Sequence, residues 1–169
     1  MSFSRAYGGS CYHSGFLYAF GGCLNSTCKR LRIPEGEWET LPPMPLVCSL
    51  TNSLVHASSI YTFGGAIANV SMDLIQKFDV LKLSWRILDI KLPIKSLTVA
   101  SFTAGGAAYF IVKRLAYSFC TESDDNQVTK VLPFNIESCF GASFYVEGNL
   151  YCSNFLGAPS HYEIGGLRV

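Results

Sequence analysis

The stretch HSGFLYAFGG, from His13 to Gly22, returns forty-three residues later as HASSIYTFGG, from His56 to Gly65. Both copies contain a histidine, an apolar run with one tyrosine and a closing pair of glycines, in the same order. Self-similarity at a period of this size is typical of propellers and solenoids, in which each copy is one supersecondary unit. The stretch therefore indicates a repeat protein.

One tyrosine per unit extends the repeat over the rest of the chain. The tyrosine recurs at intervals of 43, 48 and 42 residues, as Tyr18, Tyr61, Tyr109 and Tyr151. The runs around it, FLYAF, SIYTF, AAYFIV and NLYCS, are short and continuously apolar, which is typical of strands buried on both faces. We therefore expect a single domain over residues 1–169. Its units should span 5–45, 46–93, 94–133 and 134–169.

Each unit is expected to form four short strands. In the second unit we place them near Cys48–His56, Ile60–Phe63, Leu74–Val80 and Ser84–Ile90. In the third unit we place them near Leu97–Thr103, Ala107–Val112, Leu115–Thr121 and Gln127–Leu132. Proline ends the last strand of a unit, because proline cannot donate a hydrogen bond to a central ladder.

The combined spacing resembles the kelch repeat. In that family a strand-ending double glycine precedes an aromatic residue by about thirteen positions, a tryptophan follows about six later, and a proline-rich exit ends the unit. The second unit has all four features, in Gly64-Gly65, Phe78, Trp85 and Pro93.

The other units match the kelch pattern to different extents. The first unit has Gly21-Gly22, Trp38 and the exit LPPMP, with Leu31 where the aromatic residue is expected. The third and fourth units have Val112-Lys113 and Asn154-Phe155 in place of the glycines, and neither has the tryptophan. Losing the glycine pair predicts a different local geometry or looser packing in those units.

The resemblance implies an all-β fold, a kelch-type β-propeller with about four blades of four-stranded antiparallel sheet. The last blade is expected to be incomplete. Arg5 lies where this family often has an arginine after the proline turn. An incomplete ring leaves three interpretations: a fragment of a longer chain, a degenerate open array, or a protein completed by self-association. Trp38 and Trp85 are expected to be structural, each filling the wedge between blades.

Composition limits the partners of the chain. The formal net charge is +1, so we expect neither nucleic acid nor an anionic membrane as a partner. The most apolar stretch, Leu97–Val112, is shorter than the roughly 20 residues of a membrane span.

The start of the chain lacks the apolar run of a signal peptide, and the seven cysteines are irregularly spaced. We therefore expect free thiols and a cytoplasmic location.

The residues do not predict catalysis. The sequence has no P-loop, nucleophile elbow or H-E-x-x-H motif. His13 and His56 occupy the same repeat position, which favours a structural role. Cys23 and Cys28 are spaced C-x4-C without a second pair, a weak zinc signal. We therefore predict no catalytic residue, no cofactor, no metal and no enzymatic activity.

The leading functional prediction is a protein–protein interaction module, because a rigid repeat scaffold presents loops for recognition. The loops after each second strand should emerge on one face, at Cys23–Arg30, Ala66–Met72, Lys113–Tyr117 and Ser153–Ser160. The candidate partner-binding residues are Asn25, Lys29, Arg30, Asn69, Arg114 and Tyr117. The kelch resemblance implies substrate recognition for a ubiquitin-ligase adaptor, or cytoskeletal binding.

Two alternative functions stay open at this stage. One is a small propeller-type enzyme or sugar-binding protein, which would need convergent polar side chains in a pocket on the axis. The other is a degenerate fragment of a longer kelch protein, which the loss of the glycine pairs in the last two units favours.

Overall fold

The computed structural model describes residues 5–97, 99–120, 127–133, 143–147, 149–152 and 160–163. These residues form four antiparallel sheets, one for each sequence unit, and a separate two-stranded ribbon. The prediction of an all-β fold built from small antiparallel sheets is confirmed. We number the sheets blades 1 to 4 in chain order.

Blade 1 is a four-stranded meander. Its strands are β1 (Gly9–His13), β2 (Phe16–Phe20), β3 (Cys28–Arg32) and β4 (Trp38–Leu41), paired in that order. The turn between β1 and β2 has only two residues, and both have positive φ, 49° at Ser14 and 82° at Gly15. Such turns match the right-handed twist of the flanking strands.

Blade 2 follows the same plan and adds a ribbon. Its sheet strands are β5 (Asn52–His56), β6 (Ser59–Phe63), β9 (Ile75–Asp79) and β10 (Ser84–Ile87). The segment predicted as a plain loop after β6 contains the short paired strands β7 (Ala66–Ile67) and β8 (Val70–Ser71). That part of the prediction is wrong.

Blades 3 and 4 complete the described array. Blade 3 consists of β11 (Ala100–Ala104), β12 (Ala107–Val112), β13 (Leu115–Cys120) and β14 (Gln127–Pro133). The described part of blade 4 has three strands, β15 (Ser143–Val146), β16 (Asn149–Cys152) and β17 (Ser160–Glu163). The Asn154-Phe155 pair of this unit lies outside the described residues.

The first strand of each blade is the innermost strand. Strand β1 lies beside β5, β5 beside β11, and β11 beside β15. Because each sheet runs outward as a meander, the second strand of a blade that lies between two others is covered by both, and the fourth strand lies at the periphery. All five residues of β6 are buried, which explains the continuous apolar run in the sequence.

Three apolar cores lie between successive blades. Tyr18 and Phe20 of blade 1 pack with Ile60 and Phe78 of blade 2. Each blade therefore has two faces. We call the face that packs on the following blade its forward face, and the face that packs on the preceding blade its back face.

The core between blades 2 and 3 contains close aromatic pairs. The ring centroids of Tyr61 and Phe119 are 5.1 Å apart and nearly perpendicular, and those of Phe63 and Phe110 are 5.5 Å apart. Such pairs contribute about 0.5–1.5 kcal/mol each beyond the burial of their area. A third core joins Phe102 and Leu150 across blades 3 and 4.

Trp85 confirms the wedge role predicted for it, and the same role for Trp38 stays a prediction. Its ring stands edge-on to Phe20 of blade 1 at 5.3 Å and lies 5.0 Å from Phe78 of its own blade. Its indole N–H donates to the Pro42 carbonyl at 3.0 Å. Trp85 therefore joins two blades by packing and by one hydrogen bond.

Candidate functional site at the loop end of the blades

The meander order places several connections at one end of the blades. The connections from second to third strand, residues 21–27, 64–74 and 113–114, emerge at this end. The segments between blades, residues 42–51 and 88–97, lie there too, since each joins an outermost strand to the next innermost strand. We call this end the loop end. For the loops after the second strands of blades 1 to 3, the prediction that they share one end is confirmed, whereas residues 153–159 of the predicted loop Ser153–Ser160 lie outside the described residues.

Backbone hydrogen bonds connect the segments of the loop end to one another. They run from blade 1 to blade 3 with N–O distances of 2.7 to 3.2 Å. The donor and acceptor pairs are Cys23 to Ala6, Leu50 to Tyr7, Gly22 to Cys48, Ala66 to Ser49 and Gly65 to Ser96. The loops are therefore fixed to the inter-blade segments.

The double glycine allows this close approach. Gly64 and Gly65 have φ of 57° and 92°, a region that L side chains rarely adopt. A Cβ on Gly64 would lie 2.9 Å from the Ser96 carbonyl oxygen, and one on Gly65 would lie 2.5 Å from that of Ser49. The same close approach recurs in blade 1. A Cβ on Gly21 would lie 2.8 Å from the Cys48 carbonyl oxygen, and one on Gly22 would lie 2.8 Å from that of Ala6.

Arg5 fastens the loop after β2. Its guanidinium donates to the carbonyl oxygens of Gly21 and Thr27, the latter at 2.8 Å, and to the Thr27 hydroxyl at 2.9 Å. Burial lowers the pKa of this guanidinium. The arginine singled out by the kelch resemblance therefore has a structural role here.

Large apolar side chains are exposed on this fixed backbone. Leu24 is 93% exposed and Val70 is 61% exposed. Both occupy turns with left-handed residues, with φ of 55° at Leu24 itself and 66° at Asn69 before Val70. Further exposed apolar residues at the same end are Tyr7, Val47 and Leu97.

Three of the six predicted contact residues lie at the loop end. Asn25 is half-buried, and its side-chain oxygen accepts a hydrogen bond from the Thr27 amide at 2.8 Å. Asn69 is exposed in the turn between β7 and β8. Arg114 is exposed in the two-residue turn between β12 and β13. Partner binding by these residues stays a prediction.

Three other predicted residues lie within strands. Lys29 and Arg30 belong to β3, so placing them in a loop was wrong. Arg30 pairs with Glu39, with a nitrogen–oxygen distance of 2.7 Å, and lies 4.5 Å from the centre of the Phe16 ring. The hydrogen bond from Arg30 to Glu39 raises the pKa of the arginine.

Tyr117 lies in the core of the protein. It is 6% exposed and stacks on Phe110 with a centroid distance of 5.3 Å. The predicted loop Lys113–Tyr117 was wrong, because β12 continues through Val112 and turns at once into β13. The turn has φ of 46° at Lys113 and 68° at Arg114, as expected for a tight hairpin.

A separate cleft lies on the periphery of blade 2, away from the loop end. Its volume is about 260 Å³, and its lining includes Lys77, Lys82, Arg86 and Trp85. Asp79 also lines it, and its carboxylate accepts hydrogen bonds from the Lys82 and Leu81 amides. These bonds, the Lys82 amide first, lower the pKa of Asp79. The Asp79 carboxylate thus stabilises the turn between β9 and β10.

Burial keeps three of the described cysteines neutral. It raises the pKa of Cys11 and of Cys28 to about 12, and that of Cys48 to about 11. A neutral thiol is a poor nucleophile and a poor metal ligand. Cys23 is exposed whereas Cys28 is buried. Within the described ranges, no three His, Cys, Asp or Glu side chains converge on a metal position.

The serines of the innermost strands form a repeat that the sequence analysis missed. Their four equivalent positions, one in each first strand, are Ser10, Ser53, Ser101 and Ser143. The Ser143 hydroxyl donates to the Ser101 carbonyl at 2.8 Å and accepts from the Ser101 amide at 3.0 Å. The intervals of these serines equal those of the tyrosines, and this signal could have identified them.

The comparisons with known proteins identify the fold. The chain matches no family model and no curated protein. A solved structure described as the structure of YjhT, a kelch-repeat β-propeller protein, matches with a TM-score of 0.77 at 13% identity. The match covers 89% of this chain and 58% of that one. The chain therefore has a kelch-type propeller fold and spans a little over half of the structure it matches.

The part of the chain that the structure describes contains no helix of the length and apolarity needed to cross a bilayer.

Proposed function

We propose that the protein is a protein–protein interaction module whose loop end binds a protein partner. The observation that carries the proposal is the exposure of Leu24 and Val70 on a backbone that hydrogen bonds hold in place. Large exposed apolar side chains grouped on one surface often mark a binding site. The proposal includes no catalytic step.

The fixed backbone supports this function energetically. Ordering loops and side chains on binding opposes association, by about 0.5–1.5 kcal/mol for each rotamer-rich side chain that is immobilised. Here the loops after β2 and β6 are already tied to Ala6, Cys48 and Ser96 through their backbones. Only side chains remain to be ordered when a partner binds.

The chemistry of this surface indicates the kind of partner. The exposed apolar group consists of aliphatic side chains with one tyrosine, Tyr7, and the neighbouring polar residues Asn69 and Arg114. A complementary surface would be apolar at its centre and polar at its rim. Because few charges take part, binding should weaken only modestly as salt concentration rises.

The partner's identity decides the finer function. Substrate recognition for a ubiquitin-ligase adaptor and binding to the cytoskeleton are both compatible with an apolar recognition end. A cytoplasmic location is part of the proposal and is supported by the free thiols of Cys11, Cys23, Cys28 and Cys48.

The experiment compares capture by three forms of the tagged protein in its own cells. The test variant is Leu24→Asp combined with Val70→Asp, which places two charges on the loop end. The matched control is Leu81→Asp, since Leu81 is 82% exposed in the turn between β9 and β10 at the opposite end. Quantitative mass spectrometry measures the captured proteins, and circular dichroism checks that all three forms fold.

The proposal expects a protein that the wild type and Leu81→Asp capture equally and the double variant captures at least tenfold less. A tenfold loss corresponds to about 1.4 kcal/mol of binding free energy. Equal capture by all three forms would remove the loop end as the binding surface.

A further inference from the structure

One row of residues on the forward face of blade 1 contains a complete ion pair. Register pairing aligns Tyr18 of β2, Arg30 of β3 and Glu39 of β4 across this face. The distance between the Arg30 nitrogen and the Glu39 carboxylate oxygen is 2.7 Å. A cation on the third strand of this blade is thus neutralised by a carboxylate on the fourth strand.

The equivalent row of blade 2 contains two cations instead. It consists of Tyr61, Lys77 and Arg86, aligned by the same register. Arg86 therefore occupies the position that Glu39 occupies in blade 1. Directly opposed residues of an antiparallel pair have Cβ atoms about 4.5–5.5 Å apart, so like charges at these positions destabilise the sheet. The row itself carries two positive charges and no negative charge.

The carboxylate on the same face of blade 2 serves a turn. Asp79 lies two positions beyond Lys77 in β9, and its Oδ1 accepts hydrogen bonds from the amides of Leu81 and Lys82, at 3.0 and 2.8 Å. Within the described ranges, no salt bridge joins Lys77, Lys82 or Arg86 to a carboxylate. Asp79 therefore does not take the role that Glu39 has in blade 1.

These cations line the cleft on the periphery of blade 2. Its volume of about 260 Å³ is many times the roughly 10–15 Å³ that one water molecule needs. Lys77, Lys82 and Arg86 bring three positive charges to its lining, against the single negative charge of Asp79. Ser84 adds a hydroxyl group. The charge of the lining therefore matches a compact dianion with several hydrogen-bond acceptors.

We propose that this cleft is a phosphate-binding site, in which the oxygens of a phosphate dianion take the place of the missing fourth-strand carboxylate. The guanidinium of Arg86 is suited to donate two parallel hydrogen bonds to phosphate oxygens, and the ammonium of Lys77 adds a point charge. The Lys77 ammonium lies 5.5 Å from the centre of the Tyr61 ring. This cation–π contact reduces the cost of ordering Lys77 on binding. The phosphate belongs to a small ester or to a phosphorylated side chain.

Titration calorimetry of the full chain with inorganic phosphate measures the binding. The buffer contains no other oxyanion, and chloride keeps the ionic strength constant so that screening does not vary. We expect saturable binding with a Kd of about 1 mM or below. Nitrate, which carries one negative charge, should bind at least tenfold more weakly.

Charge reversal at the fourth-strand position gives the sharpest test. Arg86→Glu recreates the arrangement of blade 1, because a carboxylate then opposes Lys77. We expect Arg86→Glu and Lys77→Gln each to weaken phosphate binding at least tenfold, since each removes a charge-assisted hydrogen bond. The matched control is Lys95→Glu, because Lys95 is exposed in the segment between blades 2 and 3 and does not line the cleft. The control should bind phosphate like wild type.

Thermal unfolding separates this role from a purely structural one. Without phosphate, Arg86→Glu should melt about 2–4 °C above wild type, because two opposed like charges become an ion pair. Phosphate should raise the melting temperature of wild type and of Lys95→Glu, and leave that of Arg86→Glu unchanged. A variant that lost binding because it folded poorly would melt below wild type instead.

A second set of titrations distinguishes the source of the phosphate. The probes are glycerol phosphate and a short peptide with one phosphoserine, each compared with its unphosphorylated form. Tighter binding of the phosphopeptide indicates a phosphorylated protein, and tighter binding of glycerol phosphate indicates a small ester. Either order supports the site, whereas equal binding of the phosphorylated and unphosphorylated forms contradicts it.

Three further results would overturn the proposal. They are a wild type that binds no phosphate at millimolar concentrations, binding that Arg86→Glu and Lys77→Gln leave unchanged, and an equal loss of binding in Lys95→Glu. Partner capture through Leu24 and Val70 uses the loop end, so it can fail or succeed independently.

Discussion

At the scale of single residues, the glycine pairs hold the loop end together by letting backbones touch. A Cβ added to Gly65 would lie 2.5 Å from the Ser49 carbonyl oxygen and 2.8 Å from the Thr51 methyl carbon. Its φ of 92° lies in a region that residues with a side chain rarely adopt. Alanine at this position combines a steric clash with backbone strain.

Gly65→Ala should lower the free energy of unfolding by about 2–5 kcal/mol. Roughly 1–2 kcal/mol comes from positive φ and about 1–3 kcal/mol from crowding. Gly106→Ala provides the control, because Gly106 has φ of 76° and a Cβ added there would meet no atom within 4 Å. Gly106→Ala should lower the free energy of unfolding only by the roughly 1–2 kcal/mol that comes from positive φ. Urea unfolding measures both, and equal losses would show that the close approach has no energetic role.

The cysteines give a second prediction at this scale. Burial raises the pKa of Cys28 from 9.0 to about 12, so the folded state favours the neutral thiol. This contribution to stability is present in full below pH 9 and is lost as the pH rises towards 12. In the folded protein at about pH 8, iodoacetamide should therefore label Cys23, which is exposed, and spare Cys28 and Cys48.

Peptide mass spectrometry reads the labelling at each cysteine. In urea all three should react at similar rates, because burial is lost. Rapid labelling of Cys28 in the folded protein would contradict its place in the core between blades 1 and 2.

Sequence reasoning was more successful with the glycines than with the tyrosine at position 117. A double glycine at a strand end indicates positive φ and the close approach of a neighbouring backbone. The structure confirms both at Gly64 and Gly65. Tyr117 was included both in the predicted strand Leu115–Thr121 and in the predicted loop Lys113–Tyr117, and the structure confirms the strand. Without the glycines, β12 continues to Val112 and the loop shortens to a two-residue turn.

At the scale of elements, two tryptophans in equivalent positions have different surroundings. Trp85 packs on Phe20 of the preceding blade and donates to the Pro42 carbonyl. Trp38 lies on the back face of blade 1 beside Leu31 and is half-buried. The repeat therefore contains its own control for the energy of an inter-blade contact.

Trp85→Ala should destabilise the protein by about 3 kcal/mol, because it leaves a cavity between blades and an unpaired carbonyl. Trp38→Ala should destabilise it by about 1 kcal/mol, a typical value for a partly exposed residue. Chemical unfolding measures both losses. Similar losses for the two variants would mean that the tryptophans act within their own blades.

The elements themselves were predicted with small errors at their ends. The second strands were found because their apolar runs are unambiguous, and β12 matches its predicted bounds of Ala107–Val112. The ribbon of β7 and β8 was missed because each strand has two residues, too few for a periodic pattern. Its position depends on isolated bridges from Ser49 to Ala66 and from Met72 to Ser96, which no local signal reveals.

At the scale of the whole molecule, the period of the sequence predicts the fold before any residue is placed. Four units give four sheets, and the match to a solved kelch-repeat propeller confirms the architecture at 13% identity. The candidate site was predicted only in outline. The repeat indicates which loops share one end, whereas the exposure of Leu24 and Val70 depends on how the chain turns within each loop.

The central claim is that a protein partner binds the loop end, and site-specific photocrosslinking in cells tests it most directly. A photoreactive amino acid replaces Leu24, Val70 or Leu81 in the full chain, one position at a time. The account predicts a common crosslinked protein from positions 24 and 70 and none from position 81. Crosslinking of that protein from position 81 alone, or equally from all three positions, would contradict it.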